Sequence, residues 1–142
     1  MRLYLDSSAL AKRYVEEPGT KEVVAACTAA TEILLSAAAL PELVSMLCRL
    51  KREAKLTEAA YQSLKEQLAA NLEDATVMDV GNEVLAEAVA CLERHPLKAL
   101  DAIHVASARR FPCDLFLTSD RSQYQAARAL GLKSRLVGAT AG

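Results

Sequence analysis

Four acidic residues stand where chemistry could be done: Asp6, Glu42, Asp101 and Asp120. Asp6 closes the short apolar run Leu3-Tyr4-Leu5. It is followed by Ser7-Ser8 and then by Ala9, Leu10, Ala11, Tyr14 and Val15 at helical spacing. That pattern is a buried strand turning into a helix, with an acid at the turn. Asp120 follows a second run of the same kind, which ends in Thr118-Ser119. Glu42 opens the helix after another predicted strand, and Asp101 opens the helix that feeds the strand before Asp120. Singly, each acid reads equally well as a helix cap or a surface charge. Together they fall on the carboxyl edge of one parallel sheet, where ligands bind in such folds. Carboxylates brought together repel, and their pKa values rise unless a cation neutralises them. An all-oxygen donor set selects a hard ion, Mg²⁺ or Mn²⁺. Such an ion engages phosphates and lowers the pKa of water, which is chemistry for cutting a phosphodiester. Ser8 and Thr118 could orient a carboxylate or a water by hydrogen bonding.

Asp101 lies in a segment, residues 97–108, that is apolar on nearly every side and therefore buried. A lone buried carboxylate is costly unless it is hydrogen-bonded, paired or bound to metal. His104 follows one turn later. It reads either as a satisfied core histidine or as a base, and the sequence leaves both open.

The elements that must position these residues alternate between strand and helix. Strands are expected at residues 3–5, 33–35, 75–78, 114–118 and, weakly, 134–137. Helices are expected after Asp6, over about 20–30, 38–54, 57–72, 82–94 and 97–108, and over 123–130 with Gly131 as the C-cap. Pro41 is tolerable only in a first turn, so the third helix starts close to it. Leu40, Leu43, Val44, Leu47 and Leu50 share one face of that helix, while Glu42, Ser45, Arg49 and Arg52 share the other. The helix after it carries a narrow stripe of Ala60, Leu64, Leu68 and Leu72. The two form an antiparallel hairpin whose seam is expected to offer some apolar surface to another chain. Val84, Leu85, Ala88, Val89 and Leu92 mark the apolar side of the helix over 82–94. Residues 138–142 are expected to form a loose tail. The whole is α/β with five parallel strands and about seven helices, in one domain over residues 1–142.

Composition narrows the classes. A chain that is 52% hydrophobic has enough apolar surface for a packed core. Only 4% is aromatic and no Trp is present, so base stacking on an aromatic platform is not expected. A net charge of −1 neither requires nor excludes a polyanionic partner. Cys27, Cys48, Cys91 and Cys113 have no metal-ligand spacing and read as small apolar residues of a reducing compartment. No signal-peptide segment or membrane-length apolar run stands out, and a soluble cytoplasmic protein is expected.

Four stretches carry a resemblance. They are Leu5-Asp6-Ser7-Ser8-Ala9-Leu10; Ser36 with Glu42-Leu43; Leu100-Asp101-Ala102-Ile103-His104-Val105-Ala106; and Leu117-Thr118-Ser119-Asp120 with Ala127 and Gly131. Their order and spacing resemble a PIN domain, and are most similar to the VapC-type toxins of prokaryotic type II toxin–antitoxin pairs. No one motif is specific, but the four in sequence are, and they cover about residues 2–137. The resemblance implies strand order 3-2-1-4-5 and a Mg²⁺- or Mn²⁺-dependent endoribonuclease. It also implies a homodimer inhibited by a small antitoxin. It maps the family's acidic pocket onto Asp6, Glu42, Asp101 and Asp120, as metal-binding and catalytic residues, and its supporting hydroxyls onto Ser8 and Thr118. Pro41 is less usual in that helix and bears on how Glu42 is aimed.

Arg13, Arg49 and Arg121, together with Lys12, Arg52, Arg109 and Arg110, could bind RNA phosphates. Such contacts position RNA without reading its sequence. Singly, each reads as well as a solvated surface charge. Two phosphotransferase patterns fit poorly. A haloacid-dehalogenase-like enzyme needs a second Asp where this chain has Ser8, and a response-regulator receiver needs adjacent acids after the first strand. The alternative from another class is a PIN fold that binds RNA or protein without cutting.

Overall fold

Alternation along the first strand sets the two faces of the molecule. In the computed structural model, which describes residues 1–138, β1 (Arg2–Leu5) turns Leu3 and Leu5 to one face and Tyr4 to the other. β4 (Leu115–Thr118) lies beside it in parallel, with Leu3 opposite Leu115, Tyr4 opposite Phe116 and Leu5 opposite Leu117. β2 (Glu32–Ser36) flanks the other side of β1, and β3 (Thr76–Met78) and β5 (Ser134–Leu136) form the edges. The strand order is 3-2-1-4-5, as the resemblance implies, and every pairing is parallel. The central strands are buried on both faces, which explains why they read as continuous apolar runs.

Helices cover both faces. α1 (Ser7–Ala11), α2 (Thr20–Ala29), α3 (Ala39–Arg52) and α4 (Glu58–Asp74) pack on the face of Leu3, Leu5, Leu115 and Leu117. α5 (Asn82–Arg94), α6 (Ala99–Arg110) and α7 (Arg121–Ala129) pack on the face of Tyr4 and Phe116. The rings of those two residues stack at 5.3 Å. Gly131, at φ +85°, ends α7 in the left-handed conformation that its type favours.

Several boundaries differ from the sequence reading for local reasons. The first helix stops at Ala11, short of Tyr14 and Val15. The amides of Lys12, Arg13 and Tyr14 bond the carbonyls three residues back, so the chain tightens out of the α-helix. α7 starts at Arg121 because Asp120 caps it, and α6 starts at Ala99 because the Asp101 carboxylate takes the Lys98 amide. Leu40, expected on the buried face of α3, is exposed, while Leu43 and Leu47 are buried. Pro41 sits in the first turn, as its missing amide requires. On α5 the buried stripe is Val84, Ala88 and Cys91, and Leu85, Val89 and Leu92 face outward. The apolar arc of that helix is wider than the surface α6 and the sheet cover. The loose tail expected from residue 138 lies, beyond Gly138, outside the described residues. Among those residues no helix is long and apolar enough to cross a membrane, and all four cysteines are free.

Leu43, 1% exposed, pins the start of α3 into the core next to Glu42. Leu43→Ala is expected to cost about 3 kcal/mol, the middle of the range for truncating a buried leucine. A urea denaturation midpoint checks this, and a loss under about 1 kcal/mol would mean the helix start is not anchored there.

Candidate active site

Asp6 emerges at the carboxyl end of β1 and is fully buried. Its carboxylate is nonetheless well supplied with donors. The Ser8 hydroxyl lies 2.8 and 2.7 Å from its two oxygens, the Ala9 amide donates at 2.9 Å, and the Thr118 hydroxyl donates at 2.7 Å. The parallel register explains Thr118: one residue past the Leu5–Leu117 pair, the ends of β1 and β4 lie side by side. Burial pushes the Asp6 carboxyl above its ordinary range, and His104 and these hydrogen bonds offset that only in part. Asp6 is therefore also the N-cap of α1. The cap and the site acid are the same group.

The hydroxyls extend the network toward Asp120. Thr118 accepts the Asp120 amide at 2.9 Å, and Ser8 accepts the Ser119 amide at 3.0 Å. Asp120 is half-buried and caps α7 through Oδ1, which takes the Gln123 amide at 2.9 Å. Gln123 then reaches Asp101: its side-chain Nε2 donates to Asp101 Oδ1 at 2.9 Å. The other Asp101 oxygen takes the Lys98 amide at 3.2 Å. Asp6, Asp101 and Asp120 are thus joined by one chain of hydrogen bonds through Ser8, Thr118 and Gln123.

Glu42 is held from a different direction. His104, fully buried on α6, offers Nε2 to Glu42 Oε1 at 2.7 Å, and its Nδ1 lies 2.9 Å from the Tyr4 hydroxyl. An ionised carboxylate only accepts, so the shared proton sits on Nε2. The Tyr4 phenol is pushed well above its ordinary pKa by burial and by the nearby Asp6 charge, so it stays protonated beside Nδ1. Burial pushes Glu42 up as well, but the His104 hydrogen bond and charge, with a smaller part from Ser7, outweigh it and leave the carboxyl below its ordinary range.

A cleft of about 300 Å³ opens beside this network, lined by Ser7, Ser8, Ser119, Glu17, Glu42 and Arg49 among others. Arg49 is the one expected phosphate-binding side chain among its walls. Arg121 is exposed directly after Asp120. Arg13 lines a separate groove with Val24, Cys27, Thr28 and Ile33. Lys12 is buried and pairs with Glu17 at 3.1 Å, while Arg109 and Arg110 pair with Glu87 and Glu83. Among the described residues no lysine or arginine ion-pairs with Asp6, Asp101 or Asp120. No three His, Cys, Asp or Glu side chains among them converge closely enough to hold a metal as they stand.

Sequence reasoning passed over Gln123 and Tyr4. A signal for Gln123 was present. It occupies the buried stripe of α7 with Ala126 and Ala127, and a polar side chain at a core position needs a partner. Tyr4 carried no such signal, because a tyrosine in an apolar strand reads as core.

A profile of the PIN domain family matches residues 3–129. No curated protein sequence matches the chain. Among solved structures the fold is similar to FitAcB from Neisseria gonorrhoeae, at TM-score 0.73 and 19% identity over 93% of this chain and 95% of that one. It is also similar to VapC20 from Mycobacterium tuberculosis, a sarcin–ricin loop cleaving toxin, at TM-score 0.67 and 18% identity over 92% and 95% of the two chains. A third is VapBC2 from Rickettsia felis bound to a DNA fragment from its promoter, at TM-score 0.68 and 13% identity over 96% and 98%. At these identities the likeness is one of fold, and the profile match across most of the chain decides membership: this chain belongs to the PIN domain family.

Proposed function

We propose that this chain is a divalent-metal-dependent endoribonuclease and the toxin of a type II toxin–antitoxin pair. The observation that carries this is Asp6: a fully buried carboxylate, linked through hydroxyls and an amide to Asp101 and Asp120, with no lysine or arginine among the described residues ion-paired to any of the three. The donor chemistry fits a hard cation, since every candidate ligand is a carboxylate oxygen. Asp6, Asp101 and Asp120, with Glu42, would hold the ion. When bound, it supplies charge stabilisation at phosphorus and lowers the pKa of attacking water.

The chain's own residues prepare that arrangement. Ser8 and Thr118 orient the Asp6 carboxylate. His104, oriented by Tyr4, holds Glu42 at the edge of the cleft. Arg49 in the cleft wall and exposed Arg121 beside Asp120 would present charge to a polyanion. VapC20, of similar fold, is a sarcin–ricin loop cleaving toxin, which supports RNA as the substrate class here. A DNA-bound VapBC complex among the similar structures supports a cognate antitoxin as partner. Exposed Leu40 and Leu100 on α3 and α6 support a homodimer that buries them.

One observation favours the alternative of a binding module. With Glu42 held by His104 and both Asp6 oxygens held by Ser8, the acids do not converge as they stand. Cleavage would call on Glu42 to leave His104, and binding without cleavage would not.

Incubation of the purified chain with RNA separates the two. Cleavage is expected with Mg²⁺ or Mn²⁺ and none with chelator. Asp6→Asn, Asp101→Asn and Asp120→Asn are each expected to slow it roughly a hundredfold or more, the scale of losing one electrostatic element of a site. Cutting that persists in chelator, or at the wild-type rate in Asp101→Asn, overturns the nuclease reading.

The two best-defined acids also predict opposite pH behaviour in chelator. Asp6 has a raised pKa, so its contribution to stability is present below the usual carboxylate range and is lost as pH rises. Asp6→Asn should therefore raise the melting temperature at pH 7, by about 3 °C for each kcal/mol relieved, and the gain should vanish on acidification. Glu42 has a lowered pKa, so its contribution is present at neutral pH and is lost as pH falls. Glu42→Gln should lower the melting temperature at pH 7 and converge with wild type in acid. Shifts of the same sign for both variants would contradict this electrostatic account.

A further inference from the structure

Gln123 is 4% exposed, yet it is only half satisfied. Its Nε2 donates to Asp101, while its Oε1 is buried without a partner among the described residues. A buried acceptor left unpaired destabilises the fold. Methionine or leucine would fill this stripe of α7 beside Ala126 and Ala127 without that cost. The amide is therefore retained for what its other end does.

That end ties two helices together at the acids. Through its backbone amide Gln123 bonds Asp120 Oδ1, and through its side chain it bonds Asp101 Oδ1, each at 2.9 Å. One residue thus sets the separation of two carboxylates that belong to α6 and to the start of α7. The donor is also neutral. A lysine or arginine bonded to Asp101 would cancel a negative charge that a cation needs. An amide orients the carboxylate and leaves its charge intact, as partners of metal-ligating carboxylates do.

We propose that Gln123 is a positioning residue that locks Asp101 to Asp120 for divalent-cation binding, at the expense of fold stability. This rests on the metal-dependent reading given above. The test compares the full chain as wild type, Gln123→Met, Gln123→Lys and Asp6→Asn. Melting is measured in chelator, and Mn²⁺ affinity is measured from the electron paramagnetic resonance signal of free Mn²⁺. Gln123→Met keeps the volume and drops the donor. It is expected to melt in chelator at or above the wild-type temperature and to bind Mn²⁺ roughly tenfold to a hundredfold more weakly. Gln123→Lys keeps a donor for Asp101, and its melting transition in chelator reports whether it is folded. It should also lose Mn²⁺ affinity, because its charge neutralises the acid.

A merely structural role would lower the melting temperature of Gln123→Met in chelator and leave Mn²⁺ affinity unchanged, which overturns the proposal. Wild-type Mn²⁺ affinity in Gln123→Lys overturns it as well. If wild type binds Mn²⁺ and Asp6→Asn does not, while Gln123→Met binds like wild type, the lock fails and the cation site stands. If wild type binds no Mn²⁺, the cation site fails and the lock with it.

Discussion

The burial of a carboxylate at the end of the central strand is the constraint on which the rest of the site depends. Asp6 has no solvent to stabilise its charge, so the fold must provide donors. Two come from its own turn, the Ser8 hydroxyl and the Ala9 amide. A third, Thr118, comes from the neighbouring strand and is available only because β1 and β4 pair in parallel with their carboxyl ends level. The two hydroxyls are themselves anchored by the backbone amides of Ser119 and Asp120. The loop after β4 is thereby fixed by the acid after β1, and the backbone of Asp120 is tied to it through Thr118. The donors lessen the cost of burying Asp6 without removing it, since its pKa stays raised.

A second principle runs through the site: the groups that hold the acids are almost all uncharged. Hydroxyls hold Asp6, backbone amides and the amide of Gln123 hold Asp101 and Asp120, and an imidazole holds Glu42. A structural ion-pair network would place arginine or lysine in these positions. Here six of them pair elsewhere, with Glu32, Glu17, Glu58, Glu53, Glu87 and Glu83, and among the described residues none ion-pairs with Asp6, Asp101 or Asp120. The negative charge of the site is left for something outside the chain to balance.

Capping and site chemistry are not competing roles here. Asp6 and Asp120 each accept an amide three residues on and so start α1 and α7. A carboxylate has more acceptor positions than one cap uses, and the cap aims the rest. The same economy explains why the strand-to-helix turns are so short: the residue that ends the strand also begins the helix.

Much of this was legible along the chain. Apolar runs of three or four residues bounded by turn residues identified the strands, and their alternation with helices required a parallel sheet. Acids at the strand ends followed from local sequence, because burial pattern and capping preference are local properties. The limits were also physical. Periodicity could not tell that Leu40, Leu85, Val89 and Leu92 would face outward, since exposure depends on how much of a helix its neighbours cover. It could not choose between the two readings of His104, because the answer lay in Tyr4 and Glu42, far away in sequence. Nor could it find the bond from Gln123 to Asp101, which joins two helices. Sequence alone determined which residue types stand at the ends of which elements. Only the tertiary structure decided who holds whom, because a hydrogen bond between distant residues exists only once the parallel register and the helix packing have brought them within 3 Å.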